Sequence, residues 1–160
     1  ALPIWFGHVG DILCRLIQHQ QCGGLFLVDY TIRPAYPFEG PVIQDIYQDT
    51  LVATIDWDAP LDASWVIATH PSKPEYYGAL SLVASKPIGR LEMLKMRANI
   101  EHRLKACVVR DIIHYSLLVL KQYGCQAVTA SAETPSFGKV IERHFGGQPV
   151  AAFTGYLKRF

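Results

Sequence analysis

The stretch from Leu104 to Gln122 constrains the fold of this chain more than any other. Its apolar residues form two adjoining stripes, Val108, Ile112, Tyr115 and Val119 beside Val109, Ile113, Leu117 and Leu120. Only Arg110, Asp111, His114 and Lys121 mark a narrow polar face. A helix so patterned must bury most of its circumference, and a sheet laid along it provides that cover. Tyr123-Gly124 predicts its end, Gly124 being suited to a left-handed cap. Extended segments are predicted on both sides, Leu91–Ala98 before it and Ala127–Ser131 after it. A strand–helix–strand unit of this kind predicts a right-handed parallel crossover.

The remaining elements fit around that unit. Trp65–Thr69, Tyr77–Ala84 and Leu91–Ala98 are separated by turns at His70–Pro74 and Lys86–Gly89, too short for crossovers, so they predict an antiparallel meander. Downstream, Thr134-Pro135 opens a helix with Phe137, Val140, Ile141 and Phe145 on one face, and Gly146-Gly147 ends it before a last extended segment, Val150–Leu157. Upstream, Asp11 predicts the cap of a helix reaching about Gln21, and Leu25–Tyr30 a buried strand. The prolines of Arg33–Gly40 predict an extended connection. Val42–Asp62 is the least legible stretch, with a strand expected at Leu51–Asp56. The sum is one α+β domain of 160 residues, three layers deep, with helices flanking a mixed, mostly antiparallel central sheet. Its core lies in residues 63–160, and residues 1–62 fit the pattern less well.

With half its residues apolar and 18% charged, the chain is neither disordered nor fibrous. Net charge is +1, yet residues 1–80 hold nine acidic against three basic side chains and residues 81–160 hold five against twelve. An anionic ligand therefore prefers the second half. That charge lies largely on strands facing sheet partners, which argues against nucleic acid. Four cysteines, Cys14, Cys22, Cys107 and Cys125, define no disulfide framework at this size and read as reduced thiols of an intracellular protein. Cys14, His19 and Cys22 lack a fourth ligand, so no metal is expected. No run approaches the length of a membrane span, and no basic-then-apolar leader opens the sequence, so a cytoplasmic location is expected.

The start of the long helix is where chemistry is best placed. A helix N-terminus offers backbone N–H groups and a partial positive charge to a phosphate. Here Arg103, Lys105 and Arg110 surround it. Cys107, among the same cations, would have its thiol pKa lowered, but a covalent thiol mechanism needs a partnered base, of which His102 is the nearest in sequence, and a half-buried small residue is the better description.

From Trp65 to Phe160 the order of elements resembles the GNAT superfamily of acyl-CoA-dependent N-acyltransferases. That family carries Arg/Gln-x-x-Gly-x-Gly/Ala after its fourth strand, and the corresponding run is Arg103-Leu104-Lys105-Ala106-Cys107-Val108, with Ala106 and Val108 in the glycine places. The resemblance implies an acyl-CoA such as acetyl-CoA, its pyrophosphate on the amides of Leu104–Val108 and its acyl carbonyl polarised by the strand backbone near Met96. It implies a cleft between Leu91–Ala98 and Ala127–Ser131, and a small-molecule or protein amine as acceptor. The family's base, often a Glu on or near the fourth strand, corresponds to Glu92; its proton-donating Tyr falls near Glu142, on a helix without a Tyr. A second reading keeps the fold without the chemistry, as a structural or interaction component such as a phage virion protein among other proteins of an assembly.

Overall fold

The computed structural model describes residues 18–22, 28–48, 55–61, 64–131, 135–150 and 155–160. Strands β1 (Gln18–Cys22) and β2 (Val28–Pro34) are followed by a short 3-10 turn, Pro37–Glu39, that runs into α1 (Gly40–Ile46). The meander follows as β3 (Trp65–Thr69), β4 (Tyr76–Val83) and β5 (Ile88–Met96). The long helix α2 (His102–Tyr123), β6 (Ala127–Ser131), α3 (Pro135–Phe145), β7 (Gln148–Val150) and β8 (Gly155–Arg159) complete the described elements. The eight described strands form one sheet in the order β1-β2-β3-β4-β5-β6-β8-β7. Only β5 and β6, joined by α2, run parallel; the other neighbours are antiparallel. This is the α+β architecture predicted.

The sheet is buried on both faces. Val66 and Ala68 of β3 point with Leu80 and Leu82 of β4 into a core shared with α2 and α3, where Val108, Ile112, Tyr115, Val119 and Leu120 have no exposure. Trp65 and Ile67 alternate to the other face and join Ala79 with Ile43, Ile46, Tyr47 and Trp57 in a second core beneath α1. The period of two along one strand thus serves two cores. Gly124 ends α2 at φ 98°, its N–H bonding the Leu120 and Lys121 carbonyls.

The upstream part departs from expectation. Gln18–Gln21 belongs to a strand, not to a helix, and pairs with β2 from Gln18↔Ile32 to Cys22↔Val28. The apolar period that suggested a helix stops at Ile17, and polar residues gain ladder hydrogen bonds beside β2; residues 11–17 lie outside those described. The strand expected at Leu25–Tyr30 is shifted to Val28–Pro34. The extended connection expected to Gly40 ends early, because Pro37 and Pro41 open helical turns where a missing N–H costs nothing. Of the strand expected at Leu51–Asp56, Ile55 and Asp56 are irregular and the rest lies outside the described residues. The final extended segment is two paired strands, β7 and β8.

Candidate functional site

β5 and β6 pair from Ile88↔Ala127 to Leu91↔Ala130 and no further, while β5 continues to Met96. A slot lies at the end of this pairing, between the strands where the cleft was expected. Leu91, Glu92, Met93 and Leu94 line one side, Val128, Ala130 and Ser131 the other, with Phe137 of α3 over it. The slot is narrow, about 30 Å3. Two larger cavities adjoin it. One, about 420 Å3, is walled by Asp45, Lys95, Arg97, Asn99 and Lys105. The other, about 440 Å3, lies between α2 and α3 and is bounded by His102, Lys105, Ala106, Cys107 and His144. Phe137 is part of the wall of all three.

A bulge shapes the slot. The register between β4 and β5 runs from Ala79↔Lys95 to Ser81↔Glu92, so Met93 and Leu94 together oppose Leu80. Met93 has φ 56°, a backbone conformation costly to any residue with a Cβ. The Tyr47 hydroxyl donates to the Met93 carbonyl and lies 3.2 Å from the Ala79 carbonyl. Tyr47 itself is buried against Trp57 and Trp65, with ring centroids 5.9 Å away in each case. Nothing but the aromatic character of residues 47, 57 and 65 marked this group in the sequence.

The helix start differs from the expected cradle. Glu101 is the N-cap residue and makes no side-chain cap hydrogen bond. The Lys105 N–H donates to the Glu101 carbonyl at 2.9 Å, and the amides of Ala106, Cys107 and Val108 lie within the helical ladder. The amides without an intrahelical acceptor are those of residues 102–104, one turn earlier than expected. Of the expected cradle, only Leu104 retains such an amide. Its side chain and that of Val108 face the core, so Val108 does not plug the slot. Arg103 and Ala106 are exposed, and Lys105 reaches the walls of both larger cavities. Met96 is buried against Gly78, where a Cβ would lie 2.4 Å from its Sδ, and borders the Asp45 cavity. The backbone expected to polarise an acyl carbonyl is that near Met96; the irregular backbone of β5 lies two to three residues earlier, at Met93–Leu94.

Glu92 does stand on the slot wall, facing the same cavity as Ser131 and Lys158, and lies 3.4 Å from Arg90. Sequence reasoning passed over Arg97, which donates to Asp45 at 2.6 Å across the mouth of the 420 Å3 cavity. Its place at the strand–helix junction in the basic half was the available signal. Cys107 is disulfide-bonded, which corrects the expectation of reduced thiols throughout and removes Cys107 as a nucleophile; Cys125 is free and buried, and desolvation pushes its thiol pKa up. Among the described residues no group of three or more His, Cys, Asp or Glu side chains could hold a metal, and no helix is long and apolar enough to cross a membrane.

Neither a protein-family model nor a curated protein matches the chain. Solved structures do. A GNAT-family acetyltransferase from Listeria monocytogenes superposes over 89% of this chain and all of its own, with a TM-score of 0.64 at 11% identity. The yncA protein of Salmonella typhimurium, solved with acetyl-CoA, covers 81% of this chain and 93% of its own (TM-score 0.59, 12% identity). Rv2747 of Mycobacterium tuberculosis, in complex with CoA, covers 74% and 72% (TM-score 0.55, 15% identity). At these identities the likeness is one of architecture: the chain has the GNAT fold.

Proposed function

We propose that the protein binds an acyl-CoA and transfers the acyl group to an amine. The observation that carries this reading is that β5 runs on to Met96 past its last pairing with β6, at Leu91↔Ala130, beside a start of α2 that has no side-chain cap. An extended thiol arm fits along a strand edge, because residues 92–96 of β5 have no strand partner on the β6 side among the described residues. The amides of residues 102–104 suit a pyrophosphate, and the cations of Arg103 and Lys105 add charge. The residues present therefore fit the group, although no glycine lies between Arg97 and Val108 to ease a close phosphate approach.

Bound there, the thioester supplies an activated acyl carbon. The chain's own part is to orient it and to handle protons. A backbone N–H at the bulge polarises the carbonyl, as donors fixed in place do for developing negative charge. Glu92, on the slot wall, accepts the proton that the amine loses as its nitrogen bonds to that carbon and the carbon–sulfur bond breaks. Lys158, the cation among the described slot-lining residues, offsets the charge left on sulfur. The acceptor is an amine on a small molecule or a protein; the acidic first half favours a cationic one. Nothing in the fold or in its structural neighbours favours the non-catalytic, phage-particle alternative.

Thermal unfolding with acetyl-CoA tests the reading. At about 100 times its dissociation constant the ligand stabilises by about 2.7 kcal/mol, a clear shift in Tm. Replacing Arg103 and Lys105 by Ala should remove most of that shift. A folded protein whose Tm does not move in millimolar acetyl-CoA would end the proposal.

A further inference from the structure

We propose that Tyr47 is a positioning residue of the acyl site: through the Met93 carbonyl it aims the Leu94 N–H into the slot, toward the carbonyl of a bound thioester. This inference rests on the acyl-CoA reading above and adds to it the residue that caps the end of α1, on the opposite face of the sheet.

Among the described residues the register leaves Met93 and Leu94 without a ladder partner on either side, since the β4 pairing skips them and the β6 pairing stops at Leu91. Their backbone groups are thereby freed to turn to partners outside the ladder. Tyr47 meets one of them. Its ring is wedged in the second core, 4% exposed, and its hydroxyl donates to the Met93 carbonyl. Met93 packs against that same core, whereas Leu94 packs against the other. The peptide joining them is planar and trans, so its C=O and N–H point in opposite directions. A Met93 carbonyl turned to Tyr47 directs the Leu94 N–H away from α1, to the side where Leu94, Leu80, Leu117 and Val128 line the slot. The left-handed φ of Met93 is the backbone cost of that orientation, and Tyr47 is the contact that offsets it.

Tyr47→Phe keeps the ring and its packing and removes only the hydroxyl. CoA has no acyl carbonyl, so it serves as the internal control. We expect the variant to bind CoA as the native protein does and to bind acetyl-CoA about two- to tenfold more weakly, both by calorimetry. With acetyl-CoA carrying 13C at the thioester carbonyl, its infrared stretch should be lowered on binding to the native protein and less so in Tyr47→Phe. Equal weakening of both ligands would make Tyr47 a packing residue and overturn the inference, as would no change in either affinity or stretch. If the native protein binds neither ligand, the acyl-CoA reading falls and this inference with it; if it binds both and the variant matches it, only this inference falls.

Discussion

Glu39 is a carboxylate with 1% exposure, and every feature around it explains why it stays charged there. Arg33 meets it with two nitrogens, at 2.7 and 2.9 Å, the Tyr36 N–H donates at 2.6 Å and the Tyr76 hydroxyl at 2.8 Å. Burial works to raise its pKa, but the Arg33, Tyr36 and Tyr76 hydrogen bonds outweigh burial and hold it below the ordinary carboxylate value. A carboxyl with a depressed folded pKa stabilises above its unfolded pKa and loses that contribution as pH falls through the folded value. The Tm of the native protein should therefore drop steeply below about pH 4. Glu39→Gln strands the Arg33 guanidinium, only 14% exposed, and should cost about 3 kcal/mol or more at neutral pH. Its acid-side Tm profile should be flatter than the native one; parallel profiles would show that another carboxylate governs acid unfolding. Gly40, the next residue, is fixed for a different reason. A Cβ there would sit 2.1 Å from the Trp57 carbonyl oxygen, a backbone atom unable to swing aside, so Gly40→Ala should destabilise by about 1–3 kcal/mol in urea titration.

Between elements, the slot and its roof pose a problem of access. A slot of about 30 Å3 admits only a water or two, while cavities of about 420 and 440 Å3 open on its flanks, and Phe137 of α3 bounds all three. An extended ligand crossing from the α2–α3 groove to the bulge must displace that ring. Phe137→Ala should accordingly speed acetyl-CoA association in stopped-flow; an unchanged rate would mean that the ring is not the obstacle. Elements also differ in how far the sequence disclosed them. Trp65–Thr69 and Ala127–Ser131 were legible to the residue, because each is a short apolar run between turn signals, and α2 was legible because a helix buried on most sides has no other way to arrange its side chains. β1 was not: Gln18–Cys22 has no apolar alternation, and its extended form comes from pairing with β2. The bulge was hidden too, since a left-handed Met93 carries no glycine to announce it and its partner, Tyr47, lies 46 positions away. The slot's walls were predicted from the two strands; the amides beside it were misplaced by one turn, because a motif fixes spacing but only the cap at Glu101 fixes where the helix starts.

For the whole molecule, a net charge of +1 predicts little response of ligand binding to salt, and the division of that charge predicts the reverse. The basic half contains β5, α2 and α3, which form the slot and the groove beside it, and Lys105 stands in the walls of both larger cavities. A ligand with several phosphate charges therefore meets a local field that the total conceals. Raising salt from about 0.1 M to about 1 M shortens the screening length from about 10 Å to about 3 Å, enough to blunt attraction by exposed cations such as Arg103. The fold itself is held by two apolar cores, and its described ion pairs other than Arg33–Glu39 are at least partly exposed, so the Tm without ligand should change little over that range. Acetyl-CoA affinity should fall several-fold over the same interval, and the fall should shrink once Arg103 and Lys105 are replaced by Ala. Calorimetric titrations at the two salt concentrations separate the cases: if native affinity holds steady while the protein stays folded, the charge division along the chain has no part in binding, and the placement of the phosphates at the start of α2 fails with it.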